Sequence, residues 1–215
     1  NAYPKYKKLY KQIISSRNNT FRYIIKDQSI ILEPCKRNTA PAITLAALKS
    51  LQNGEDGILL VMASDHEINN QKKFLEVVRI GIKYAENNKL VTFGIIPSYP
   101  NTGYGYIKSK EPFNLKEIEG VEIEKFLEKP SLIEAKKFIQ DKTFSWNSGI
   151  FLFKAKTIIE EIEKYAPDIL KTCKKSLEKS KFDLDFQRID KNSFYECPNA
   201  PIDVAVMEKT NKGIV

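Results

Sequence analysis

A few short stretches of the chain carry the residue types that chemistry needs. Glu33, Arg37, Asn38 and Thr39 put an acceptor, a cation, an amide and a hydroxyl on one loop. Such a set suits a nucleobase edge and a ribose, and it suits an ordinary capped turn equally well. Asp65 follows the apolar run ILLVMA at 58–63. A carboxylate there can hold Mg2+, a hard cation that commonly shares one or two carboxylates with substrate phosphates. It can also be a helix N-cap, and His66 beside it reads as a polar packing residue. Gly103-Tyr104-Gly105 lets backbone approach a ligand closely, or simply turns. Glu128-Lys129-Pro130 sets an acid and a base at a strand end. The carboxylate can accept from sugar hydroxyls and the ammonium can grip a phosphate, while a surface ion pair is the alternative. Trp146-Asn147-Ser148-Gly149 interrupts an apolar run with amide and hydroxyl groups, which points to a bulge or a ligand contact.

Regular elements must position these residues. Residues 29–32 read as a short strand feeding the first loop. Thr39 can cap a helix over 40–51, with Pro41 in its first turn and Gly54 near its end. Residues 58–63 are continuously apolar, which predicts a strand buried on both faces of a parallel sheet. The pattern then predicts a helix over 71–87, a strand over 90–96, a turn over 99–106 and a strand over 122–127. Ser131 and Glu134 form a capping box for a helix over 132–140. An interrupted strand over 144–153 and helices over 154–165 and 168–178 follow. A polar segment runs to about 199, and a last short helix covers 202–209. Near the start, helices over 5–14 and 21–28 flank a turn at 15–20. This alternation predicts a doubly wound α/β fold around a mixed, mostly parallel sheet, with ligands outside the carboxyl ends of the strands.

Composition narrows the class of protein. The chain has 215 residues, 42% hydrophobic and 29% charged, which suits a single soluble domain. No apolar run approaches the ~20 residues of a membrane span, and residues 1–10 show no signal-peptide pattern. Three well-separated cysteines and one histidine argue against a zinc site and for free thiols in a reducing cytosol. The net charge of +8 is carried mostly by lysines spread along the chain beside glutamates, not by a nucleic-acid stripe. It suits a small polyanion such as a nucleoside triphosphate. No Walker loop, nucleophile elbow, HExxH or GxGxxG fingerprint occurs.

Taken together, the stretches resemble one family. EPCKRNTAPAITLAAL is similar to the EPxxRNTAPAIxLAA segment of bacterial mannose-1-phosphate guanylyltransferases, or GDP-mannose pyrophosphorylases, and VMASDHEI is similar to their VLPADHxI. VTFGIIPSYPNTGYGYIK, IEKFLEKPSLIEAKKFI, FSWNSGIFLFKA, APDIL and PIDVAVMEKT also match in order and at similar spacing, so the resemblance runs over roughly 21–210. It implies the nucleotide-diphospho-sugar transferase, Rossmann-like fold. It also implies transfer of GMP from GTP to mannose 1-phosphate, giving GDP-mannose and pyrophosphate, in the cytoplasm. By the same resemblance Asp65 is a Mg2+ ligand and Glu33, Arg37, Asn38 and Thr39 line the guanosine side. Gly103, Tyr104, Glu128, Lys129 and Asn147 hold the mannose phosphate, and Asp203 and Glu208 play supporting parts. It is compatible with a homo-oligomer and with a fused isomerase domain.

The family pattern also has parts that this stretch of sequence lacks. A glycine-rich GGxGxRLxPxSR loop normally cradles the triphosphate through backbone amides. Here Tyr3-Pro4-Lys5 resembles the YPKQ that follows that loop, which makes Lys5 the phosphate-contacting, catalytic lysine. The WSDVGSW segment, with the second metal carboxylate, belongs after the last residue. Ser64 and Ala63 replace the usual alanine and proline. The expectation is a core piece of the domain. A non-catalytic sugar-nucleotide binder and a pyrophosphorylase for another hexose phosphate remain the alternatives.

Overall fold

The computed structural model describes residues 30–52, 54, 56–183 and 186–215. Lys5 and the helices expected over 5–14 and 21–28 lie outside the described residues. In chain order the strands are β1 (Ile30–Leu32), β2 (Ile58–Val61), β3 (Leu90–Ile95), β4 (Tyr106–Ser109), β5 (Ile123–Leu127), β6 (Phe144–Lys154), β7 (Lys181–Asp183), β8 (Phe186–Arg188) and β9 (Gly213–Ile214). The helices are α1 (Thr39–Gln52), α2 (Gln71–Glu86), α3 (Leu132–Phe138), α4 (Ala155–Tyr165), α5 (Pro167–Glu178) and α6 (Lys191–Tyr195), with a π-helical turn at Asp203–Met207.

The organising strand is β6. Its residues alternate between two cores, as the period of two in a strand requires. Phe151 and Phe153 join the core under α1, α4 and α5, with Leu45, Ile158, Ile162 and Leu170. Ile150 and Leu152 face the opposite core, where Val78 and Ala85 of α2 meet Val91 and Phe93. Helices therefore cover both faces of the sheet, as the alternating pattern predicts. A third cluster, Tyr106, Phe138, Phe144 and Trp146, closes the end near α3.

The main sheet is mixed and runs β5-β4-β6-β3-β9, with β2 also on β6. The balance of directions differs from the mostly parallel sheet expected. β6 is antiparallel to β2, β3 and β4, and β4 is antiparallel to β5. Within this sheet the parallel pairing is β3 with β9. The run 58–63 also behaves differently from a doubly buried strand. Only 58–61 is strand, it pairs antiparallel with β6, and its residues are half-buried. A continuous apolar run cannot reveal strand direction, because the pattern registers burial and not pairing partner.

Several elements match their sequence signals closely. Ser131 and Glu134 complete the capping box of α3, and Gly54 takes φ +81° just after α1. The polar segment before 199 hides β7, β8 and α6. β8 pairs parallel with β1 and antiparallel with β7, making a separate three-stranded sheet. The three cysteines are free thiols. Among the described residues no helix is long and apolar enough to cross a membrane.

Candidate active site

The site is built around a break in β6. β3 pairs with it at Thr92 opposite Phe151 and again at Gly94 opposite Asn147, so β6 carries extra residues between the two registers. Gly149 absorbs the irregularity at φ +67°, a left-handed conformation that glycine adopts without Cβ strain. The polar interruption in the sequence is thus a bulge, and it turns the Asn147 side chain into a hub. Gly149 N–H donates to Asn147 Oδ1 at 3.0 Å, while the Thr92 hydroxyl, 3.4 Å from the same oxygen, donates to the Ile150 carbonyl at 3.2 Å. Asn147 Nδ2 donates to Asp203 Oδ1 at 2.7 Å.

Two further predicted residues meet at this hub. Asn147 N–H donates to the Gly105 carbonyl at 2.9 Å. A Cβ on Gly105 would stand 3.0 Å from Glu128 Oε1 and 3.7 Å from Asn147 Cβ. The missing side chain therefore makes room for the Glu128 carboxylate beside Asn147. Lys129 follows with φ +39°, a strained left-handed backbone for a residue other than glycine. The loop before Gly105 is organised by Asn101, whose carbonyl accepts from the buried Tyr106 hydroxyl at 2.9 Å. Asn101 Oδ1 accepts from Gly103 N–H at 2.7 Å. Tyr104 and Tyr99 both stand edge-on to Trp146, with ring centroids 5.2 and 5.0 Å away. The Trp146 indole N–H is buried with no partner among the described residues. The structure thus gathers Gly103, Tyr104, Glu128, Lys129 and Asn147 onto one rim.

The 33–39 loop is anchored elsewhere. Asn38 takes φ +67°, and its Oδ1 accepts from Thr39 N–H at 2.9 Å. Thr39 is the first residue of α1, one position inside the cap the sequence suggested. The Thr39 hydroxyl instead accepts from Ile202 N–H at 2.8 Å, while Ala40 N–H donates to the Ala200 carbonyl at 3.1 Å. Arg37 donates through Nη2 to the Tyr195 carbonyl and lies over that ring, 5.9 Å from its centroid. Partial desolvation pushes the Glu33 carboxyl above its usual value. This loop therefore already uses the Thr39 hydroxyl and one Arg37 nitrogen to brace segment 195–202.

Asp65 stands exposed on the turn after β2. Among the described residues no group of three His, Cys, Asp or Glu side chains converges to hold a metal. A single hard, solvent-facing carboxylate such as Asp65 would suit Mg2+ if substrate phosphates supplied its other ligands.

Asp203, which the resemblance marks as a supporting residue, meets the hub directly. Its carboxyl is half-buried and touches the central Asn147, and burial pushes it above its usual value. The motif placed it near the site without giving its partner, which lies 56 residues away. Thr92 carries no such signal, because its place in an apolar strand marks it as core, whereas Tyr99 and Trp146 lie in the turn and the interrupted strand that the sequence points to.

Comparison with known proteins places these features in context. The family described as Nucleotidyl transferase matches residues 4–196. The mannose-1-phosphate guanylyltransferase of Salmonella montevideo is 44% identical over 210 residues, which cover 92% of this chain and 44% of that protein. The xanthan biosynthesis protein XanB of Xanthomonas campestris pv. campestris (strain B100) is 45% identical over 191 residues, covering 89% of this chain and 40% of that one. The chain thus spans less than half the length of these relatives. A crystal structure of mannose-6-phosphate isomerase from Helicobacter pylori superposes with a TM-score of 0.76 at 33% identity, covering 88% of this chain and 73% of that chain.

Proposed function

The chain belongs to the nucleotidyl transferase family, and we propose that its protein transfers GMP from GTP to mannose 1-phosphate. The products are GDP-mannose and pyrophosphate. The observation that best supports this reading is the meeting of Gly105, Glu128 and Asn147 at one bulge, in a chain whose relatives carry that enzyme's name. Glu128 supplies an acceptor for hexose hydroxyls and Lys129 a point charge for the sugar phosphate. Asn147 adds a directional donor, and Gly103-Tyr104 closes the rim beside Trp146.

In the reaction an oxygen of mannose 1-phosphate attacks the α-phosphorus of GTP. A new P–O–P bridge forms, the bond from the α-phosphorus to the α–β bridging oxygen breaks, and that oxygen leaves with pyrophosphate. Such chemistry needs alignment and charge neutralisation more than covalent help from the protein. Asp65 would hold Mg2+, which when bound neutralises charge on the triphosphate oxygens. Lys5 would contact the same phosphates. Glu33, Arg37, Asn38 and Thr39 would line the guanosine side, with Arg37 and Thr39 acting partly through the backbone they brace. We place the enzyme in the cytoplasm, supplying polysaccharide synthesis, a reading compatible with a homo-oligomer and with a fused isomerase domain.

The test is exchange of labelled pyrophosphate into GTP by the whole protein, dependent on both mannose 1-phosphate and Mg2+. Exchange under those conditions is the expected result. Tight GDP-mannose binding in a calorimeter without any exchange would replace this reading with that of a non-catalytic sugar-nucleotide binder.

A further inference from the structure

Both ends of the Asn147 amide are bonded inside the protein. Its Oδ1 accepts from Gly149 N–H, and its Nδ2 donates to Asp203. A primary amide can rotate half a turn and exchange its donor and acceptor ends. Here the rotation is blocked at both ends. A backbone N–H can only donate to Oδ1, and a carboxylate can only accept from Nδ2.

We propose that Asp203 is a positioning residue for sugar recognition: its carboxylate locks the Asn147 amide, so that one Nδ2 hydrogen is kept as the donor to the hexose. The proposal rests on the reading of Asn147 as a sugar-side residue. The placement of Asp203 is itself tightly defined. It opens the π-helical turn, where Glu208 N–H donates to the Asp203 carbonyl at 2.8 Å. Widened turns of this kind recur at functional sites. On the other side, Ile202 N–H is tied to the Thr39 hydroxyl. Asp203 forms no salt bridge among the described residues, so the Asn147 amide is its side-chain partner. A half-buried carboxylate with no cation is a poor choice for stability alone.

The decisive experiment is a double-mutant cycle of Asp203→Ala and Asn147→Ala in the whole protein, with Asp203→Asn as the conservative variant. KM for mannose 1-phosphate, KM for GTP and kcat are measured separately. Asp203→Ala is expected to lower kcat/KM for mannose 1-phosphate roughly 10- to 100-fold, the factor for losing a hydrogen bond to a charged group. KM for GTP should stay near the wild-type value, and Asp203→Asn, which retains a carbonyl acceptor, should recover part of the loss. In the Asn147→Ala background the Asp203→Ala penalty should vanish, because the group it positions is gone. An undiminished penalty in that background, or an equal rise in KM for GTP, overturns the proposal.

A second readout needs no turnover. The side-chain amide protons of Asn147, followed by 15N-resolved NMR, should include one shifted downfield by the carboxylate, and that shift should be lost in Asp203→Ala. An unchanged spectrum overturns the lock. A shifted spectrum in a protein that makes no GDP-mannose supports the lock and removes the proposed reaction instead.

Discussion

At the scale of single residues, the Asn147–Asp203 hub is costly to maintain. Burial holds the Asp203 carboxyl above its usual value, so folding favours its protonated form. The stability this brings is fully present below the ordinary aspartate value and is lost as pH rises through the folded value. At neutral pH the ionised group is therefore a net burden on the fold. Asp203→Asn is expected to raise Tm at neutral pH, with the gap over wild type closing as the solution is acidified. Calorimetric scans across a pH series check this, and a lower Tm at neutral pH would mean that the carboxylate stabilises the fold. Asp65 predicts the reverse separation. Its side chain is exposed, so Asp65→Asn should leave Tm unchanged while abolishing Mg2+-dependent turnover. Unaltered activity with Mg2+ would remove Asp65 from the metal's ligands.

At the scale of elements, the bulge in β6 brings Asn147 beside Gly105 and Asp203. Gly149 sits at φ +67° within it, and a Cβ there would meet open space but a strained backbone. Gly149→Ala is expected to cost about 1–2 kcal/mol for the left-handed conformation. For a domain of this size that lowers Tm by roughly 2–8 °C. A scan showing no loss would mean that the bulge relaxes without cost. The bulge was legible in the sequence, since WNSG is polar where its neighbours are apolar. So were α1, α2 and α3, through their apolar faces, the capping box and the glycine after α1. β7, β8 and α6 were not. KFD and FQR are short and largely polar, and the hairpin they form is completed into a sheet by β1, some 156 residues away. The Asn147–Asp203 pair escaped for the same reason: spacing shows what is near in sequence, and this bond crosses the fold.

At the scale of the whole molecule, two cores share one strand, so neighbouring residues of β6 report on different layers. Phe153 faces α1 and α4, and Leu152 faces α2. Phe153→Ala is expected to cost about 3–5 kcal/mol and Leu152→Ala about 2–5 kcal/mol. If the layers unfold as one unit, both variants lower a single transition in denaturant; two separate transitions would show that the layers are independent. The parallel pairing of β1 with β8 has a consequence for how the molecule is made. The 33–39 loop leaves directly from β1, and its braces are Tyr195, Ala200 and Ile202. These partners lie more than 150 residues further along the chain, and closing so long a span is slow compared with forming the β3–β6 centre. In refolding, the amide protons of Ala40 and Ile202 should become protected against exchange later than those of Val91 and Leu152. The 33–39 loop is then among the later parts of the described fold to mature, because it stays unbraced until segment 195–202 has docked.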